Sequence, residues 1–236
     1  MILLIILLAL IGVAAPLSAQ TTPGRAEVRS VKGTAAWSTN GVPAMPLKVG
    51  TVLGSGATIT TGTNSTVDLF LGVSAGVIRL AESSTLSLDS LKITETGADK
   101  KVEVQLELPD GEMYFNVNKL SKASRYEIKM PTGVAGIRGT KGSFNSRPGN
   151  TRPPIVLLEG TLVFVHAPLN GQVTTYTLKA PPAVSFVPEQ GVQIAAAVVV
   201  QLAVNQVESV TQSATPVSSP PPTQNTQPAE PVLTNH

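Results

Sequence analysis

Residues 25–190 are expected to form a single all-β domain, on three observations. Apolar residues there recur with a period of two, turn-forming residues separate the runs, and no internal stretch sustains the 3.6-residue period of a helix. The clearest run is Val102 to Leu108, where Val102, Val104, Leu106 and Leu108 alternate with Glu103, Gln105 and Glu107. Such alternation describes a half-buried strand with one wet face. Shorter runs predict strands at Ala26–Val31, Thr66–Leu71, Val77–Leu80, Leu86–Leu88, Met113–Val117, Tyr126–Met130, Ile155–Leu158, Leu162–His166, Val173–Leu178 and Ala183–Val187. Asn40-Gly41, Pro109-Asp110-Gly111, Pro148-Gly149-Asn150 and Asn170-Gly171 supply the turns. Asn64-Ser65-Thr66 has the pattern of a glycosylation acceptor but reads first as another turn. Glycine-bearing corners of unequal spacing suit a β-roll, a sandwich or an irregular β-solenoid alike, and the spacing does not choose among them.

The ends differ from this middle. Residues 1–19 carry no charge and run apolar from Ile2 to Ala15, close to the core of a signal peptide and short for a bilayer span. Cleavage is expected between Ala19 and Gln20, with retention as an anchor the alternative. Once the leader is cut, no stable membrane span is expected, and the chain is placed in the periplasm or at the surface of a bacterium. Residues 191–212 are rich in Ala and Val, and Val200, Val204, Val207 and Val210 line one face of an expected helix docked on the domain. β-branched side chains lose rotamer freedom in a helix, which weakens that expectation. Residues 213–236 hold a Pro-rich run that cannot bury a core and reads as a disordered tail.

Composition narrows the chemistry. The 236 residues contain no Cys and two His, His166 and His236, so thiolate catalysis and cysteine-ligated metal sites are excluded and no metal or cofactor is expected. One Trp, three Tyr and five Phe are too few for stacking platforms that bind sugars or single-stranded nucleic acid. No GxSxG elbow marks a nucleophile. Most acids between Glu82 and Glu112 fall on alternating strand positions, which describes a solvated face better than a pair of hydrolytic carboxylates. No catalytic residue is therefore named. Trp37 reads as core or edge packing, and His166 as a surface or strand-end residue.

The net charge of +2 conceals a contrast. Residues 82–112 hold eight acids and three bases, whereas residues 119–152 hold eight bases and one acid. Neighbouring strands of opposite sign would pair across a sheet. The sharper alternative is a basic face that meets an acidic envelope protein or an anionic polymer. Nucleic acid is not expected as a partner.

The most distinctive stretch is MPTGVAGIRGTKGSF, Met130 to Phe144, where Gly133, Gly136, Gly139 and Gly142 require tight turns or close approach of a neighbour. Lys141 is followed by Gly rather than Ser or Thr, so the loop lacks the phosphate-cradling pattern. Together with PLKVGTVLGSGATITTGTNSTVDLFL (Pro46–Leu71), GVIRLAESSTLSL (Gly76–Leu88), GEMYFNVNKLSKASRYEIKMPTGVAGIRGT (Gly111–Thr140) and IVLLEGTLVFV (Ile155–Val165), it resembles the FecR domain. That domain is the periplasmic β domain of iron-citrate-type signalling regulators and of many exported bacterial proteins, and the resemblance covers most of Glu27 to Gly191. It implies a non-enzymatic domain that contacts a protein partner in cell-surface signalling. With the signal-like run at its start, this chain is expected to be the stand-alone exported type. A structural or surface-display role is the alternative.

Within the resemblance, the candidate structural or partner-contact residues are the triplet Arg138, Gly139 and Thr140, together with Glu159. Arg138 bound bidentately to Glu159 would fix two coils in register. Arg138 as a contact to the partner is the second reading.

Overall fold

The computed structural model describes residues 20–39, 42–96, 99–147, 152–169, 171–188 and 190–213. The expected leader and Pro-rich tail lie outside the described residues, as do the Asn40-Gly41 and Pro148-Gly149-Asn150 turns and Asn170.

Among the described residues the chain forms two sheets and one helix. In chain order the strands are β1 Gln20–Pro23, β2 Ala26–Lys32, β3 Ala35–Thr39, β4 Met45–Pro46, β5 Val52–Leu53, β6 Ala57–Thr61, β7 Thr66–Phe70, β8 Val77–Leu80 and β9 Thr85–Thr96. There follow β10 Asp99–Asp110, β11 Glu112–Val117, β12 Arg125–Met130, β13 Gly133–Ile137, β14 Thr140–Asn145, β15 Ile155–His166, β16 Thr174–Ala180, β17 Val184–Val187 and β18 Gly191–Ile194, then helix α1, Ala197–Ser213. The first sheet runs β4-β3-β6-β9-β10-β12-β13-β15-β16, with β1 lying on β9 beyond β6. The second runs β5-β2-β7-β8-β11-β14-β15-β17-β18. Every pairing is antiparallel except β10 with β12.

β15 belongs to both sheets. Its first half, from Ile155, pairs with β14 and β17, and its second half, to His166, pairs with β13 and β16. Two separate strands were expected here, on either side of Glu159-Gly160, because a glycine between apolar runs resembles a turn. The strand instead bends. Register on β14 passes from Lys141↔Glu159 to Gly142↔Leu157, so Leu158 is the extra residue of a bulge. Gly160, at φ +95°, then carries the chain into the other sheet.

The core lies between the sheets. Inward residues such as Leu69, Ile78 and Phe115 of the second sheet meet Leu86, Leu106, Ile128 and Phe164 of the first in one buried cluster. The alternation on β10 is as expected: Val102, Val104, Leu106 and Leu108 are all buried. Phe115 stacks on Phe144 at 4.7 Å, and Phe164 meets Phe186 edge-on at 5.0 Å. These contacts define an open two-sheet, sandwich-like packing joined through β15.

The central strands of the second sheet, β8, β11 and β14, are buried on both faces where α1 covers the outer side. Ala203 and Val207 pack on Tyr114 and Val156 there. Strand β18 occupies residues 191–194, so the helix begins later than the Ala/Val-rich composition suggested. Of the expected face, Val207 and Val210 are buried while Val200 and Val204 are half-buried. No acid occupies the first turn of α1 and no base the last, so packing on the sheet is what holds this helix. Beneath it runs a transverse row, Asp68, Arg79, Tyr114, Ser143, Val156 and Ser185, each beside the next across the strands. Asp68, Arg79, Ser143 and Ser185 of that row are buried polar side chains.

Candidate functional site

Three chain segments meet where β15 changes sheet. They are the Arg138-Gly139 turn between β13 and β14, the Glu159-Gly160 bend, and residues 118–120 after β11. A Cβ on Gly160 would lie 2.2 Å from the Gly139 carbonyl oxygen, and one on Gly139 would lie 2.9 Å from Lys119 Cα. Gly139 is also left-handed, at φ +71°. Backbone therefore touches backbone at this corner, and only glycine fits at either position. Elsewhere in the glycine-rich stretch, Gly133 and Gly142 lie as close to the carbonyl oxygens of Val165 and Val156, but Gly136 has nothing nearer than 3.8 Å. The expectation of close approach at Gly136 does not hold.

The corner opens into a cavity of about 390 Å³ lined by Asn118, Lys119, Arg138, Thr140, Lys141 and Glu159, among others. All four residues singled out in the sequence, Arg138, Gly139, Thr140 and Glu159, line this one cavity. Their connection differs from the expected one. Arg138 is exposed and donates its Nε to the Leu120 carbonyl at 3.3 Å. Glu159 pairs instead with Lys141 at 2.6 Å. The reason is register: Lys141 stands directly opposite Glu159, whereas Arg138 sits in the turn, outside both ladders. Thr140 is buried at 1% exposure, and its hydroxyl has no hydrogen-bond partner.

Sequence reasoning did not pick out Lys119 or Asn116. The end of alternation after Val117 was the available signal, since Asn118 and Lys119 are the first exposed residues beyond β11. Asn116 donates to Thr211 Oγ1 of α1 at 2.9 Å. A second cavity of about 430 Å³ shares Asn116, Lys141 and Glu159 with the first and continues along α1 over Leu158, Val204 and Val207. The two form one groove.

Elsewhere the acidic and basic stretches meet across strands at two ion pairs, Lys129 with Asp89 and Arg152 with Glu112. β10 lies beside β12 with Glu103 opposite Arg125 and Glu107 opposite Lys129. Lys129 reaches Asp89 at 3.0 Å, and that hydrogen bond holds its ammonium above the ordinary lysine range. Lys101 beside Glu103 holds that carboxyl below its ordinary range. Arg152 meets Glu112 at 2.7 Å, and Arg147 donates to the carbonyls of Glu82 and Ser83. Lys119 and Arg138 stay outside this pairing: among the described residues neither has a carboxylate partner. The corner thus gathers three cations, Lys119, Arg138 and Lys141, around one acid, Glu159.

Two buried polar features lie away from the corner. Arg79 binds Asp68 through two bonds of 2.7 Å and donates to Gln206 of α1 at 3.1 Å. Each is a lone charge in an apolar strand, of opposite sign on neighbouring strands, and that pattern was available in the sequence. His166 is at the end of β15 as expected, but it is buried, not on the surface. It packs between Phe164 and Phe186, at 5.7 and 5.4 Å. Trp37 is half-buried against the core.

Among the described residues, no group of three or more His, Asp or Glu side chains is placed to hold a metal, and no helix is long and apolar enough to cross a membrane. Residues 57–163 match the family model described as FecR protein, a span that contains both glycine bends and every cation of the corner. No curated protein and no solved structure matches the chain.

Proposed function

We propose, from the premise that residues 57–163 belong to the FecR family, that this chain is a non-enzymatic binding module of the bacterial envelope. It acts in cell-surface signalling by holding a partner at the Arg138 corner. One observation carries this reading: Arg138 and Lys119 are exposed, without carboxylate partners, and brought together with Lys141 around one cavity at a glycine-locked corner. Charges left unpaired on a rigid support are available to an opposite charge elsewhere. The corner is rigid because its glycines interlock, so little ordering cost falls on binding. The titratable side chains of the cavity are lysine, arginine and one glutamate already bound to lysine, a set suited to holding an opposite charge.

The test is crosslinking in periplasmic extract, comparing the protein with a Lys119→Glu/Arg138→Glu variant. A defined partner that the variant loses while keeping its melting temperature supports the reading. A partner set unchanged by the double reversal refutes it and favours the structural, surface-display role.

A further inference from the structure

We infer that the occupant of this groove is an extended peptide carrying an acidic side chain next to an apolar one, and not a uniformly anionic polymer. The inference rests on the binding-module reading above and adds the chemistry of the partner. The groove has two unlike halves. At the corner, Lys119 and Arg138 offer positive charge; with Nε held by the Leu120 carbonyl, the outer nitrogens of Arg138 are left to face an incoming carboxylate. The half along α1 is floored by Leu158, Val204 and Val207, all at least half-buried, and carries the exposed carboxylate of Glu208 on its rim.

A polymer with negative charge at every unit would gain at the corner and then meet Glu208 and an uncharged floor. Like charges oppose it there, and the apolar floor gains nothing from a hydrated anion. A peptide that places Asp or Glu at the corner and a Leu- or Val-sized side chain on the floor satisfies both halves. The carboxylate supplies attraction and orientation, and burial of the apolar side chain supplies affinity.

Fluorescence anisotropy with three labelled peptides of equal length tests this on the intact chain: an Asp-Gly-Leu-Gly repeat, an Asp-Gly-Gly-Gly repeat of equal charge, and polyaspartate. The Leu-bearing peptide should bind about tenfold or more tightly than the Leu-free one, since one buried Leu is worth at least that factor. Lys119→Glu/Arg138→Glu should abolish its binding, and Glu208→Lys should improve polyaspartate selectively. Equal binding of the two charge-matched peptides, or tighter binding of polyaspartate, overturns the inference while leaving the module reading intact. Binding that survives the double reversal, or no binding by any peptide, also overturns it. Sedimentation of the chain alone should give a monomer; a dimer dissociated by Arg138→Glu would make a second copy the occupant and would equally overturn it.

Discussion

Arg79→Met removes one member of the ion pair beneath α1 and should be the most damaging single change among the charged residues. The side chains of Arg79 and Asp68 are 8% and 2% exposed, and their two hydrogen bonds are both 2.7 Å. Methionine fills much of the arginine volume but leaves the Asp68 carboxylate dry and unpaired. Breaking a buried pair in this way costs about 3–5 kcal/mol. At about 2–4 °C per kcal/mol for a domain of this size, the melting temperature should fall by roughly 6–20 °C. The variant also loses the donor to Gln206, so α1 should loosen with it. Asp68→Leu/Arg79→Met removes both charges and should recover most of the loss, because a well-packed apolar pair is often no worse than a buried ionic one. Urea denaturation of the three proteins at neutral pH decides the matter. A single variant costing less than about 1 kcal/mol, the range of exposed pairs, would show that the pair is solvated. A double variant no better than the single would show that α1 needs the charges themselves.

Three further outcomes are expected. Gly160→Ala should destabilise by about 2 kcal/mol or more, since its Cβ would sit 2.2 Å from a backbone oxygen at φ +95°; melting temperature is the readout, and an unchanged value would mean the corner yields. Glu159→Gln should cost less than about 1 kcal/mol, because the Lys141–Glu159 pair is 41% and 61% exposed. The phenol of Tyr126 is pushed above its ordinary value of 10.0 by burial, and its hydroxyl has no partner. A raised folded value means stability is fully present below pH 10.0 and declines as pH rises above it, where the unfolded chain ionises first. Tyr126→Phe should flatten that alkaline decline in urea midpoint and change neutral-pH stability by less than about 1 kcal/mol; an identical alkaline slope in the variant would contradict the assignment.

Most of the fold was legible because alternation is a local signal. Val77–Leu80 was bounded at both ends, and β10, β11 and β12 were bounded to within a few residues. What escaped notice was pattern without strong alternation. β3 reads AAWST and β6 reads ATITT, small and polar enough to pass for loop, and their strand form comes from pairing with each other and with β9. β13 was hidden by glycines that read as corners, of which Gly133 marks close backbone contact within the strand. At the candidate site, the right residues were legible and their bonding was not. Whether Glu159 meets Arg138 or Lys141 depends on a bulge at Leu158, a one-residue shift in register that composition does not encode.

The central claim is that Arg138 is presented for contact and does not hold the fold. Arg138→Ala tests it in one protein, with melting temperature and capture of the crosslinked envelope partner measured side by side. An unchanged melting temperature, within about 0.5 kcal/mol of stability, together with lost capture is the predicted result. A clear fall in stability with capture intact would contradict it and return Arg138 to the structural role that its place beside Glu159 first suggested.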